Sequence, residues 1–556
     1  SQVAVKASAF PASENTRSRG ARVAVSEAAP ARWRIRVLAW LLVLGFLGLA
    51  ARASQLAFAG DPLAGKNSVE EGAPVLARAD LVDRNGVLLA TTLPSFALVA
   101  EPAKVWDAAA TARELATLFP DLGKAGLEKR LADKSRALVY LKRDLTPRQR
   151  SAVFEKGLAG ISFRDESTRV YPQGRMAAHL IGIVNDKDHG AAGVENGLDA
   201  EILNAGALGK AVRLSIDVRV QHALEAELDG AVDATRAQGG AGIVLDARTG
   251  EVLAMASAPR FNPNDPPAGD DGRRLNRAAG AVYEMGSSLK PFTVAMGLEA
   301  GVTRADEVFD LSQTLTVEGY EIKDYKGLNR PATLPEALAE SSNIMAATIA
   351  MRVGPERQRQ ALKQLGLFER APLQIPETAR PLPPQKDDLI TNAVLGYGHG
   401  MAFSIAALAE AYTVFANGGA RAPLTLLARA QGDQVARVPV FTKTTTDTVL
   451  GMMRGVVTEG TGKRADAAGL EIAGKTGSAE KPNKGVYEED VLFSSFAAVF
   501  PASDPKYVVL IAIDEPQRTA ATENLATGGA VAAPAVGRVA ARMAPLVGLS
   551  ARGAAQ

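Results

Sequence analysis

Tyr283-Glu284-Met285-Gly286-Ser287-Ser288-Leu289-Lys290 runs directly into the apolar stretch Pro291 to Leu298. A serine and a lysine three apart at the mouth of a helix share one face, so Ser287 Oγ and Lys290 Nζ can come within hydrogen-bond reach of each other. A hydroxyl beside an amine base is the arrangement of a serine nucleophile. The pair alone proves little, because S-x-x-K should arise roughly once or twice by chance in a chain this long. The surrounding chain decides.

The chain has 556 residues, 47% of them hydrophobic, enough for sizeable cores in several domains. Its 63 basic and 61 acidic residues leave no basic excess of the kind a nucleic-acid groove needs, which excludes nucleic acid as the expected partner. The absence of cysteine removes thiolate catalysis, disulfides and Cys-type zinc sites. The four histidines, His179, His189, His222 and His399, lack metal-ligand spacing and read as structural or surface groups.

Upstream, residues 1–36 carry seven basic residues against two acidic and show no apolar period, the signature of a disordered basic tail. Val37 to Ala51 is uncharged and almost wholly apolar, and with a snorkelling Arg52 the stretch reaches Phe58, long enough for one membrane-spanning helix. The basic residues precede it, which predicts a cytoplasmic N-terminus and an external remainder. The 36-residue leader argues for an uncleaved anchor over a signal peptide.

Ala79 to Val82 and Val87 to Thr91 read as strands joined at Asn85-Gly86, with a third strand from Phe96 to Ala100. Helical periods follow over Asp107–Leu118, Lys124–Asp133 and Thr146–Glu155, a mixed segment without a catalytic constellation. From Arg213 the pattern changes. A helix over Val218–Asp233 precedes two strands, Gly242–Leu245 and Glu251–Ala256, around the turn Asp246–Gly250. Strands recur late, at Glu471–Gly474, Phe493–Phe500 and Lys506–Asp514, before a helix from Ala530 to about Leu546. Strands at both ends and helices between them imply an antiparallel sheet closed by early and late segments around an inserted helical lobe, an α+β fold.

Two further pieces lie in this domain. Thr333 and Glu336 form a capping box for a short helix that ends at Ser341-Ser342-Asn343, offering a hydroxyl and an amide at a helix-to-helix turn. Lys475-Thr476-Gly477-Ser478 reads as the end of a strand whose glycines admit a close neighbour. S-x-x-K, S-x-N and K-T-G, in that order in one domain, are the motif set of penicillin-binding proteins and class A β-lactamases.

Other residues narrow the resemblance to the class B penicillin-binding proteins, the membrane-anchored peptidoglycan D,D-transpeptidases. Arg78 to Gly86 resembles the R-G-x-I-x-D-R-N-G box of their pedestal, with Ala79 in place of Gly. Arg169-Val170-Tyr171-Pro172, Ala177-Ala178-His179 and Gly193-Val194-Glu195 resemble later pedestal boxes. Tyr283 to Ser287 and Ser494-Ser495-Phe496 look most like the division-specific, FtsI-type branch, although Met285 stands where many relatives have Pro and Ser478 where Thr is commoner.

The resemblance implies a tail at 1–36, an anchor at 37–58, a dimerisation-type pedestal at 59–212, a penicillin-binding/serine β-lactamase-like transpeptidase domain at 213–546 and a tail at 547–556. It implies Ser287 as nucleophile towards the penultimate D-alanine carbonyl of a stem peptide and Lys290 as its base. Burial and a second cation, Lys475, are then needed to make Lys290 neutral. Ser341 is implied as proton relay to the leaving amine, Asn343 as the group holding Lys290 and substrate, and Lys475 and Thr476 as the carboxylate site. Gly477 keeps the strand open, and the backbone N–H groups of Ser287 and Ser478 form the oxyanion hole. No cofactor or metal is implied.

The expected partners are peptidoglycan stem peptides or lipid-linked nascent glycan, a SEDS-family (FtsW-like) glycosyltransferase and other division proteins. The expected place is the bacterial inner membrane at the septum, with the catalytic domain periplasmic and sensitive to β-lactams. The alternatives are the elongation-specific transpeptidase, a D,D-carboxypeptidase or β-lactamase-like hydrolase, and a non-catalytic scaffold or β-lactam sensor. The loop Gly396-Tyr397-Gly398-His399-Gly400 matches a family loop near the site and equally fits a plain turn.

Overall fold

The computed structural model describes residues 29–59, 78–483 and 486–550, and it divides into two compact units, Ser1–Pro74 and Val75–Gln556. In the first unit a helix runs over Ala29–Ala59, so it starts inside the stretch read as tail. Its apolar side chains, among them Leu38, Leu44 and Phe46, are exposed, as are Trp33 and Trp40. The expected tails before residue 29 and after residue 550 lie outside the described residues.

The second unit begins with the segment read as a pedestal. Leu81–Val82 and Leu88–Ala100 are joined at the Asn85-Gly86 turn, where Asp83 Oδ1 accepts the N–H groups of Asn85 and Val87, each at 2.8 Å. The two strands expected at Val87–Thr91 and Phe96–Ala100 are one continuous strand. Ile161–Val170 pairs with it residue by residue from Thr91 to Ala100, and this long-range partner carries the chain straight through Pro94. Val139–Leu145 pairs on its other edge, and Val212–Arg213 returns to run parallel with Leu81–Val82. The expected helices form as Ala108–Leu118, capped by Asp107, Lys124–Ala132, and Pro147–Phe154, whose Thr146 and Gln149 make a full capping box.

Three of the four boxes quoted from this segment meet in space through Arg78, Arg169 and Glu195. Glu195 is fully buried and accepts from Arg78 Nη2 at 2.8 Å and Arg169 Nε at 2.7 Å, and Arg78 and Arg169 are buried as well. A buried carboxylate shared by two guanidinium groups is tolerable only when each charge is matched this closely.

The rest of the unit is built on one five-stranded antiparallel sheet. Its strands are β1 (Gly239–Asp246), β2 (Val252–Ala258), β3 (Ala473–Asn483), β4 (Val486–Phe500) and β5 (Tyr507–Asp514), in the spatial order β3–β4–β5–β1–β2. Early and late segments thus close one sheet, as the sequence implied. The alternation of side chains sorts β5 onto two faces. Val509, Ile511 and Ile513 pack with helices α1 (Val218–Ala234) and α5 (Ala533–Met543), whereas Val508, Leu510 and Ala512 face the helical lobe. Gly242 permits the close approach of α1, since a Cβ there would stand 2.7 Å from Leu224 Cδ1.

Three helices of the lobe carry the site: α2 (Lys290–Glu299), α3 (Leu334–Ala339) and α4 (Asn343–Val353). The α5 segment, Gly528–Val547 with its flanking turns, is apolar and long enough to cross a membrane by composition, but Val536, Val539, Ala540 and Met543 are buried against the sheet. It is a core element.

Candidate active site

Ser287 sits on a 3-10 turn, Gly286–Leu289, that leads into α2 at Lys290. The sequence placed both residues in one helix. The tighter turn is imposed by what surrounds it. Gly286 has φ +55°, and a Cβ on it would stand 3.2 Å from Ser478 O, so the turn lies directly on β3. Behind it, Gly286 N donates to Gly398 O at 3.1 Å, and a Cβ on Gly398 would be 1.9 Å from Gly286 O. Glu284 accepts from Gly400 N at 3.1 Å and pairs with His399 Nδ1 at 3.0 Å. The Gly396–Gly400 loop, which the sequence left between a site loop and a plain turn, therefore backs the serine turn. Ser288 is buried between Ser495 Oγ at 3.0 Å and Tyr412 Oη, which donates to Ser288 O at 2.7 Å. Ser287 itself stays half-buried.

Lys290 is fully buried. It donates to Ser341 O at 2.5 Å, Asn343 Oδ1 at 2.8 Å and Ser341 Oγ at 3.1 Å, and among the described residues none of its hydrogen bonds reaches Ser287 Oγ. The helical spacing made a direct contact possible, but a flexible lysine stem goes where acceptors are densest. Those acceptors exist because Ser341 has φ +63° between α3 and α4, which aims its carbonyl and its hydroxyl at the same nitrogen. A left-handed non-glycine residue costs about 1–2 kcal/mol, so this turn is held against a local preference.

Lys475, on edge strand β3, meets the same hydroxyl from the other side. Its Nζ donates to Ser341 Oγ at 2.8 Å and to Thr476 O and Oγ1, each at 3.2 Å. The triplet lies near the start of β3, not at the end of a strand as its composition suggested. Pairing with β4 (Lys475 with Ala497, Thr476 with Phe496, Gly477 with Ser495, Ser478 with Ser494) carries β3 on to Asn483. Thr461 Oγ1 lies 2.9 Å from Thr476 Oγ1, and Ser478 Oγ accepts from Gly528 N at 2.9 Å. Gly477 has no room for a side chain, since a Cβ would stand 2.3 Å from Ser288 Oγ.

Two lysines on one hydroxyl in a dry site cannot both stay charged cheaply. Burial lowers Lys290 to about 7, with the charge of Asp324 pulling the other way. Lys475 is pushed well below the usual lysine range, by burial first and then by Lys290, with Glu340 opposing. Burial is the first cause for both lysines, and the repulsion between their ammonium groups, which share Ser341 Oγ, belongs to the pair: whichever holds a proton disfavours charge on the other.

The structure thus brings Ser287, Lys290, Ser341, Asn343, Lys475, Thr476, Gly477 and Ser478 to one place from three separate regions of the chain. It adds residues that no motif announced: Asp324, which accepts from Asn343 N at 2.6 Å, and Thr461. Neither carries a sequence signal, because each acts through a contact made only in the folded chain. His179 is buried against Phe261, its Nε2 2.6 Å from Arg273 O, and burial lowers it to about 4, so it is neutral and structural. Among the described residues no three or more histidine or acidic side chains are grouped as metal ligands.

Comparison with known proteins shows the family. The model of the penicillin binding protein transpeptidase domain matches residues 240–541, and that of the penicillin-binding protein dimerisation domain matches residues 75–209. The chain is similar to the probable peptidoglycan D,D-transpeptidase FtsI of Caulobacter vibrioides, at 41% identity over 93% of this chain and 89% of that protein. It is 29% identical to the peptidoglycan D,D-transpeptidase FtsI of Escherichia coli, over 91% of this chain and 90% of that one. The crystal structure of penicillin binding protein 3 from Mycobacterium tuberculosis complexed with aztreonam superposes with a TM-score of 0.66 at 25% identity, covering 85% of this chain and 97% of that one.

Proposed function

Because this chain belongs to the penicillin-binding proteins, as a class B peptidoglycan D,D-transpeptidase of the FtsI type, we propose that its cross-linking reaction runs through Ser287 with Lys290 as base. The observation that carries this reading is the shared hydroxyl: Ser341 Oγ lies 3.1 Å from Lys290 Nζ and 2.8 Å from Lys475 Nζ, so a proton can pass among three groups within one buried network.

A stem peptide enters with its terminal carboxylate at Lys475 and Thr476. A carboxylate beside Lys475 favours its ammonium form, and a new cation across Ser341 Oγ favours neutral Lys290, the form that can accept a proton. Ser287 Oγ attacks the penultimate D-alanine carbonyl while Lys290 takes its proton. The oxyanion is held by the backbone N–H groups of Ser287 and Ser478, a type of contact whose loss costs about 2.7–4 kcal/mol. Ser341 passes a proton to the departing D-alanine amine, and Asn343 holds Lys290 and the substrate amide. An amine of a neighbouring stem peptide then attacks the ester, forming the cross-link and returning the proton to the serine. A β-lactam enters the same sequence at the first attack and stops at the ester, in keeping with the aztreonam complex of the mycobacterial relative.

Residues 37–58, within the helix Ala29–Ala59, are read as the single membrane anchor, with the N-terminus cytoplasmic and the chain from residue 59 onwards periplasmic: pedestal 59–212, transpeptidase 213–546. The helix has 31 residues, about 46 Å, enough to carry the anchor across a hydrocarbon core, and its exposed apolar side chains support the reading. Partnership with a SEDS-family glycosyltransferase and other septal membrane proteins belongs to the same proposal. Labelling with a fluorescent penicillin tests the chemistry. A covalent adduct is expected with the wild type and none with Ser287→Ala; an adduct that survives this substitution refutes the assignment.

A further inference from the structure

Asp324 belongs to none of the three motifs, yet its carboxylate organises one of them. Oδ1 accepts the N–H of Asn343 at 2.6 Å and of Ile344 at 3.0 Å, and Oδ2 accepts the hydroxyl of Ser342 at 2.7 Å. The residue before it completes the grip, since Lys323 O accepts from Asn343 Nδ2 at 3.0 Å. With its Nδ2 so engaged, the Asn343 amide presents Oδ1 to Lys290 Nζ at 2.8 Å. Capping of α4 does not by itself require this carboxylate, because Ser342 Oγ already accepts from Met345 N at 3.1 Å.

We propose that Asp324 is a positioning residue of the acylation step: it clamps the turn that carries Ser341 and Asn343, and it supplies the negative charge that faces Lys290. The inference rests on the reading of Ser287 as nucleophile and Lys290 as base.

The charges around Lys290 are Lys475 from β3 and Asp324 from the loop before α3, with Glu340 at the end of α3 acting on Lys475. Burial and a protonated Lys475 favour a neutral amine. Left unopposed they would make Lys290 too weak a base to draw the serine proton, since a base works best when its proton affinity matches the working pH. Asp324 opposes them. It does so through a rigid path, because the atom it binds, Asn343 N, belongs to the residue whose Oδ1 holds the ammonium.

The test is the pH dependence of the acylation rate constant, measured with a fluorescent penicillin on the full chain and read on the folded, labelled fraction. In Asp324→Asn the constant is expected to fall about 10–100-fold, the usual scale for a misplaced catalytic group. The acid limb of its profile is expected to move to lower pH, because loss of the negative charge lets Lys290 shed its proton more readily. Asp324→Glu should bring the limb back without restoring the full rate. Ser342→Ala keeps the charge while removing one contact, and should slow acylation with the limb unmoved. An Asp324→Asn limb coincident with the wild type, or an unchanged rate, overturns the proposal. Labelling of Ser287→Ala at the wild-type rate would instead overturn the underlying reading of the nucleophile.

Discussion

Replacing Ser341 by alanine removes the one atom that both buried lysines share. Lys475 loses its shortest hydrogen bond, at 2.8 Å, and keeps two at 3.2 Å; Lys290 loses the longest of three and keeps Ser341 O and Asn343 Oδ1. A hydrogen bond to a charged group is worth about 1.5–3 kcal/mol, and a buried donor left unpaired costs about 1–3 kcal/mol. If only one such term separates ground state from transition state, the rate falls roughly 10- to 150-fold at 1.36 kcal/mol per decade. If Ser341 also carries the proton to the leaving nitrogen, the loss of general-acid catalysis extends the fall to about 10²–10⁴-fold. The expected result is therefore a drop of at least about two decades in the second-order acylation constant, with a melting temperature close to the wild type because no core volume is lost. Time-resolved labelling with excess fluorescent penicillin gives the constant, and thermal unfolding followed by circular dichroism gives the control. A fall of less than about tenfold in a fully folded variant would mean that neither lysine works through this hydroxyl, and the relay would have to be abandoned.

The wild-type acylation rate should rise as pH increases through about 7, because Lys290 is held there by burial and only its neutral form can take the serine proton; a limb near the ordinary lysine value would refute that role. Gly398→Ala places a Cβ within 1.9 Å of Gly286 O at a φ of +85°, so the serine turn must shift, and labelling should slow at least about tenfold. Glu195→Ala strands two buried guanidinium groups and should lower the unfolding free energy by about 3–5 kcal/mol in urea titrations, while the protein that remains folded labels normally.

Much of the site was legible because its chemistry sits in short spacings. Ser287 and Lys290, Ser341 and Asn343, and the Lys475–Ser478 run each carry reacting groups that local covalent geometry holds together wherever the chain goes. The apolar run within Lys506–Asp514, the Asn85-Gly86 turn and the capping box at Thr333 are likewise local, and the corresponding elements form where the pattern places them. Strand extents were read less well. Leu88–Ala100 and Ala473–Asn483 both outrun their sequence signal, because pairing with a neighbouring strand holds the residues on either side of Pro94, and those around Gly474 and Gly477, in the ladder.

By itself, then, the sequence determined which candidate groups the site holds, the order in which the chain presents them, and the family to which the chain belongs. Only the tertiary structure decided how they are aimed. Lys290 is held at Ser341 and Asn343 because a left-handed residue 51 positions away offers two oxygens at once. The proton inventory is set by burial on all sides, which depends on every element packed around the two lysines. Asp324 enters the site through contacts with residues 18 to 20 positions away that no local pattern encodes. Hydrogen-bond direction and desolvation are properties of the assembled neighbourhood, and a linear spacing cannot carry them.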